Sequence, residues 1–295
     1  MAETEIICPK CGWKPDGRAH WVCECGHSWN TFETRGKCPE CGKQWADTWC
    51  PRCESSSPHE AWYRPKDVIQ HPPLKNEAEL LSRKAKVEKK LFQYGVTNFK
   101  ITYLPYLNFS ENDFQTTYEA GCRIIILWAV TNIAHNPSEA GEIAEWLMDT
   151  SLWKKVSERE KKLFSGVPDQ QMLIAASWRI EALTVLCWAT NLMEELPDLN
   201  QQVSEEVWDE VLSALPIFQN PGDFLKTLTY RNKEEIFIEN IVNENITAYL
   251  RDKYLAGEKN DLPIDGGVAH ERHHALNWLR CFSGISDWDE TDTST

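Results

Sequence analysis

The chain reads as a mainly α-helical protein, a helical bundle preceded by a small two-zinc ribbon module with short β-hairpins. Three observations predict this. Eight of the eleven cysteines lie between residues 8 and 53. From residue 76 onward, apolar residues recur every three or four positions, the period of a helix. Charge divides the same way: residues 1–66 hold nine Lys/Arg and nine Asp/Glu, so the whole formal charge of −14 belongs to 67–295. The predicted organisation is a double ribbon over 1–66, a linker over 67–75 and an all-α domain over 76–295.

The cysteines form four knuckles: "CPKC" (8–11), "CEC" (23–25), "CPEC" (38–41) and "CPRC" (50–53). Two thiolates on one tight turn grip a tetrahedral ion, and a second pair closes the site. Gly12, Gly26 and Gly42 each follow the second cysteine of a knuckle, where the turn needs a positive φ. "CGHSW" (25–29) recurs as "CGKQW" (41–45), a weak internal repeat. Spacing favours sequential pairing, with Cys8, Cys11, Cys23 and Cys25 on one zinc and Cys38, Cys41, Cys50 and Cys53 on the other. An interleaved cross-brace, first knuckle with third and second with fourth, is the alternative. Iron is the competing metal, with zinc the commoner occupant of such sites.

Closed four-thiolate coordination leaves no open position, so both ions are structural. A segment this small buries too little apolar surface to fold alone. Metal binding contributes on the order of 10 kcal/mol per site instead. Trp13, Trp21, Trp29, Phe32, Trp45, Trp49, Trp62 and Tyr63 surround the knuckles, as a mini-core or as a protein-contact surface. His20, His27 and His59 are not needed as ligands. Cys122, Cys187 and Cys281 sit on apolar helical patterns and read as small core residues.

The predicted helices run over about 76–94, 111–135, 138–149, 152–165, 169–195, 204–214, 232–256 and 267–282. "FKITYLPYLNF" (99–109) has room for short extended pieces. "YEAGCRIIILWAV" (118–130) and "QMLIAASWRIEALTVLCWATNLM" (171–193) are apolar nearly all round and should be central. Each carries one ion in its apolar stretch, Arg123 and Glu181. A buried charge must be paired, so these two, or one of them with Glu271 or Arg272, should form a buried network. Arg179 is expected to point elsewhere. The closing "SDWDETDTST" reads as a solvated tail.

"VAHERHHALNWL" (268–279) contains His-Glu-x-x-His as His270, Glu271 and His274, the spacing of a zinc peptidase helix. Arg272 between the ligands, the lack of a nearby third ligand and the absence of a strand pattern argue against that chemistry. The acidic balance disfavours nucleic acid. The N-terminus lacks an apolar leader, and no run of 18 continuous apolar residues marks a membrane span. A cytoplasmic protein is therefore expected, where clustered cysteines hold metal rather than disulfides.

"ASWRIEALTVLCWATNLMEELP" (176–197), "YRNKEEI" (230–236), "AHERHHALNWL" (269–279) and "DWDETDT" (287–293) resemble, in order, the bacterial family catalogued as domain of unknown function 4272. The resemblance implies an α-helical domain without assigned activity. It points to Glu181, Arg231, Glu271, Arg272, His273 and Trp278, and omits His270 and His274. The cysteine module is similar to an N-terminal zinc-ribbon segment on assorted bacterial proteins, of unknown role. The leading expectation is a zinc-binding adaptor or regulatory protein whose acidic helical domain binds a protein partner or small ligand. The rival is a hydrolase with its site between the 169–195 and 267–282 helices, using Glu181 or Glu271 as base and His273 or His270/His274 as ligands.

Overall fold

All four cysteine knuckles close with the same pair of backbone hydrogen bonds. In the computed structural model, which describes residues 4–65, 76–97, 101–166 and 168–294, the amide after each knuckle donates to the carbonyl of its first cysteine. These are Gly12 to Cys8, Gly26 to Cys23, Gly42 to Cys38 and Glu54 to Cys50, at 2.8–3.0 Å. The first cysteine amide in turn donates across the turn, to Trp13, His27, Lys43 or Ser55. Gly12, Gly26 and Gly42 have φ of 72°, 86° and 75°, as the sequence predicts, and Glu54 adopts the same turn at 54°.

The chain divides into two units, Met1–Glu79 and Leu80–Thr295. The linker expected over 67–75 lies outside the described residues. In the first unit β1 (Thr4–Ile6) pairs antiparallel with β6 (Tyr63–Pro65), which brings the two ends of the module together. Between them lie two hairpins, β2 (Trp21–Val22) with β3 (Ser28–Trp29), and β4 (Asp47–Trp49) with β5 (Ser56–Pro58). Trp21, Trp29, Phe32 and Trp62 are buried, and the Phe32 ring lies 4.9 Å from Trp62 and 5.1 Å from Trp21. The aromatics therefore form mostly a mini-core, with Trp49 outward and 45% exposed.

The second unit is helical. Its elements are α1 (Glu77–Gln93, beginning in the first unit), α2 (Thr117–His135), α3 (Ala140–Asp149), α4 (Glu158–Phe164), α5 (Gln170–Ser177), α6 (Arg179–Ala189), α7 (Glu205–Ala214), α8 (Gly222–Thr227), α9 (Lys233–Leu255) and α10 (Gly266–Leu279). Thr116, Ser157, Asp169, Ser204 and Asp265 cap α2, α4, α5, α7 and α10 through their side chains. Such caps satisfy backbone amides that a helix start leaves unpaired.

Helices α2 and α6 form the centre of one apolar cluster with the second half of α10. Another cluster joins α1, α9 and the first turn of α10. Helix α10 thus belongs to both, and that is why ten of its residues are buried.

Several expectations are corrected. The stretch 169–195 is broken at Trp178 into α5 and α6, without Gly or Pro at the break. The stretch 152–165 splits into a 3-10 turn, Leu152–Lys155, and α4. The 99–109 segment forms a 3-10 turn over Leu104–Leu107 rather than a strand, with Pro105 in its first turn; residues 98–100 lie outside the described residues. Residues 170–189 together are long and apolar enough to cross a membrane, yet much of their surface is buried in this core. They also carry Arg179 and Glu181, both engaged in ion pairs with α10.

Candidate functional site

Two groups of four thiols meet in the first unit. One is Cys8, Cys11, Cys50 and Cys53; the other is Cys23, Cys25, Cys38 and Cys41. This is nested pairing, first knuckle with fourth and second with third. It overturns both the sequential arrangement and the cross-brace. The cause is the β1–β6 pairing, which closes the module end to end and brings its outer knuckles together, while the β2–β3 hairpin faces the turn around Cys38.

The thiols fit a metal. A tetrahedral ion with bonds of about 2.3 Å to sulfur spaces its ligands about 3.8 Å apart. The sulfurs of Cys8 and Cys53 are 3.8 Å apart, as are those of Cys11 and Cys50. In the second group Cys23 and Cys41 are 3.6 Å apart, and Cys25 and Cys38 are 3.7 Å apart. The Cys25 amide and the neighbouring thiols bring Cys23 down to about 6. Burial opposes ionisation of Cys53, but the Ser55 amide and the Cys11 and Cys50 thiols bring it to about 7. Burial pushes Cys11 up. Without a cation, each group thus favours one thiolate over four, and a soft divalent ion is what would hold all four charged.

In the second unit, the Arg and Glu residues of α6 and α10 form a layer of two crossed pairs. Glu181 Oε2 meets Arg272 Nη2 at 3.2 Å, with both side chains at most 1% exposed. Glu181 Oε1 also accepts from the Val203 amide at 2.8 Å, and Arg272 Nη1 donates to the Pro197 carbonyl at 2.7 Å. Arg179 meets Glu271 at 2.7 Å nearer the surface. Arg179 therefore belongs to the layer, contrary to expectation. It sits at the first residue of α6, where its long side chain reaches a partner that its position around the helix does not predict.

Arg123 pairs with neither of its expected partners. Its Nη1 donates to both carboxylate oxygens of Glu160 at 2.8 Å, and its Nη2 donates to the Lys155 carbonyl. Glu160 is also the third residue of the Ser157 capping box, so one carboxylate fixes both the start of α4 and α2. The signal "SERE" (157–160) was available in the sequence as a helix start. The Arg123 guanidinium lies 4.7 Å from the centre of the Trp288 ring. Trp288 is buried, and the Asp292 carbonyl accepts from Asn277. The closing segment is therefore docked rather than solvated.

The remaining predicted residues are also committed. Arg231 donates to the carbonyls of Trp188, Met193 and Glu194, holding the chain just past α6. Trp278 Nε1 donates to the Ser286 carbonyl. His273 is fully buried, with Nε2 3.0 Å from Asn277 Nδ2, and Asn277 in turn accepts from Asn240 at 2.9 Å. Arg280 donates to Asn240. Sequence reasoning missed this polar chain, although "ENIVNEN" (239–245) places asparagines on a helix that must be half buried.

His270 and His274 do not share a site. His270 is exposed beside Leu250, Thr293 and Ser294, whereas His274 faces a cleft of about 220 Å³ with Glu160, Arg179 and Trp288. Among the described residues, the groups of His, Cys, Asp and Glu close enough to hold an ion are the two cysteine sets.

The model of the family described as domain of unknown function (DUF4272) matches residues 83–291. No curated protein and no solved structure matches the chain. The match takes in α2 through α10, the crossed ion pairs and the docked Trp288, and it spans well over half of the sequence, so the chain belongs to the DUF4272 family.

Proposed function

We propose that this is a zinc-stabilised adaptor or regulatory protein of the bacterial cytoplasm, whose acidic helical unit binds a partner rather than transforming a substrate. The observation that carries this reading is that the candidate bases Glu181 and Glu271 are held in ion pairs and His273 is fully buried, while His270 and His274 face different clefts. Both oxygens of Glu181 are used, Glu271 is bound by Arg179, and His273 is packed against Asn277. A general base needs a free lone pair within reach of a substrate proton. The ribbons supply a rigid module with Val22 and Trp49 outward, 65% and 45% exposed, as a surface for a protein partner. The net charge of −14 favours a basic partner over nucleic acid.

The test is metal content per chain by elemental mass spectrometry, for wild type and His270→Ala/His274→Ala, with turnover of casein and nitrophenyl esters measured on the same samples. Two zincs in both proteins and no turnover above a Glu271→Gln control are expected. A third zinc lost in the double variant, or turnover lost with Glu271, would establish the hydrolase instead.

A further inference from the structure

We propose that the helical unit binds a small planar organic cation, an amine or amidine on a ring, in the cavity between α2, the α5–α6 junction and the start of α7. The cavity holds about 490 Å³, within the range of small-molecule sites. Trp178, Ile180, Val203 and Trp208 form its walls. Thr131 of α2 also lines it, 1% exposed, and its hydroxyl has no hydrogen-bond partner.

The walls are fixed by neighbouring packing. A Cβ on Gly267 of α10 would lie 2.5 Å from the Trp178 ring, so glycine there lets the indole pack flat against the helix. The Val203 amide is held by buried Glu181 at 2.8 Å, which ties the rim of the cavity to the crossed ion pairs. The break between α5 and α6 places Trp178 at the cavity instead of within a continuous helix.

Charge selects the ligand. The ionisable residues lining the cavity are Glu205 and His135; among the described residues no Lys or Arg lines it. The start of α7 is already capped by the Ser204 side chain and carries Glu205 and Glu206, which offset its positive end. Indole faces attract cations. A phosphate or carboxylate would meet Glu205 and no Lys or Arg to pair with.

The proposal deepens the reading above and rests on the helical unit being a binding body. The test is calorimetric titration of the full metal-loaded chain at pH 8 with benzamidine, and with benzoate as an anion of the same shape. Saturable one-to-one binding of benzamidine, at least tenfold tighter than benzoate, is expected. Trp208→Ala should abolish it, and Glu205→Gln should weaken it at least threefold. Absence of saturable heat, equal binding of benzoate, or wild-type affinity in Glu205→Gln would overturn the site. Benzamidine binding together with ester turnover would leave this site standing and sink the non-catalytic reading; no binding, with two zincs and no turnover, would do the reverse.

Discussion

Glu181 of α6 and Arg272 of α10 form an ion pair sealed from solvent, and each uses its remaining polar reach on backbone, Glu181 on the Val203 amide and Arg272 on the Pro197 carbonyl. Burial raises the Glu181 carboxyl, opposed by Arg272 and the Val203 amide. Such a pair is worth little against a well-packed apolar pair, but removing one partner strands the other. Glu181→Ala and Arg272→Ala should each therefore cost about 3–5 kcal/mol in urea unfolding. Glu181→Leu/Arg272→Met should cost clearly less than the sum, though not nothing, because the Val203 and Pro197 groups lose their partners. Additive single losses would mean the two residues are not coupled. Arg179→Ala removes the outer pair, which is partly exposed, and should cost about 1 kcal/mol or less.

His273 links stability to pH. Burial, with smaller contributions from the His270 and Arg280 charges, brings its pKa from 6.5 to about 4, against the opposing pull of Asp292. The folded protein thus binds this proton less readily than the unfolded chain. The stability it contributes is present above pH 6.5 and is lost as pH falls from 6.5 toward 4. By pH 5.5 the loss is about 1.4 kcal/mol for this one group. His274, brought to about 3 mainly by burial, acts in the same direction, while Glu181, raised by burial, acts in the opposite one. Unfolding of wild type and His273→Leu should be compared at pH 7.5 and 5.5. The wild type should lose about 1.4 kcal/mol more than the variant over that interval. Parallel losses would mean that His273 is not kept neutral by the fold.

Helix positions were legible because burial imposes a period on each segment, and α1, α9 and α10 lie within a few residues of their predicted spans, while α2 begins at Thr117 rather than near 111. The need for partners around Glu181 and Arg272 was legible too, since an ion within an apolar run must be paired. The pairing of Arg123 was not, because Glu160 lies on a short helix whose face the sequence does not mark. The break at Trp178 carries no Gly or Pro. Helix α8 is six residues long, too short to show a period. The docking of the last residues depends on Trp288 finding Arg123, which is distant in sequence, as well as the nearer Trp278. Knuckle spacing fixes where a pair of thiols sits, and says nothing of which pairs meet; the β1–β6 closure decides that.

Nested pairing makes a count that no other pairing shares. Cys8→Ser/Cys50→Ser disables one group, because both cysteines belong to it, and the chain should keep one metal. Cys8→Ser/Cys23→Ser disables both groups and should keep none. Sequential pairing inverts the two results. In a cross-brace Cys8→Ser/Cys50→Ser would lose both. Metal per chain by elemental mass spectrometry, with each pair of substitutions made in the full chain, decides among the three.

Glu54 occupies the turn position that glycine fills in the other three knuckles, at φ of 54°. A side chain in the left-handed region costs about 1 kcal/mol, part of which glycine returns through the greater freedom of its unfolded chain. Glu54→Gly should therefore tighten the Cys8/Cys11/Cys50/Cys53 group modestly, by about 0.5 kcal/mol. Gly42→Ala is the converse in the other group. A Cβ there meets only the Lys37 side chain at 3.8 Å, so its cost is conformational and not steric. Metal release to a competing chelator reads both effects. Glu54→Gly should slow release of one ion and leave the other unchanged, and Gly42→Ala should speed release of one ion alone. Faster release from Glu54→Gly would show that the glutamate side chain contributes something to the knuckle beyond its backbone conformation.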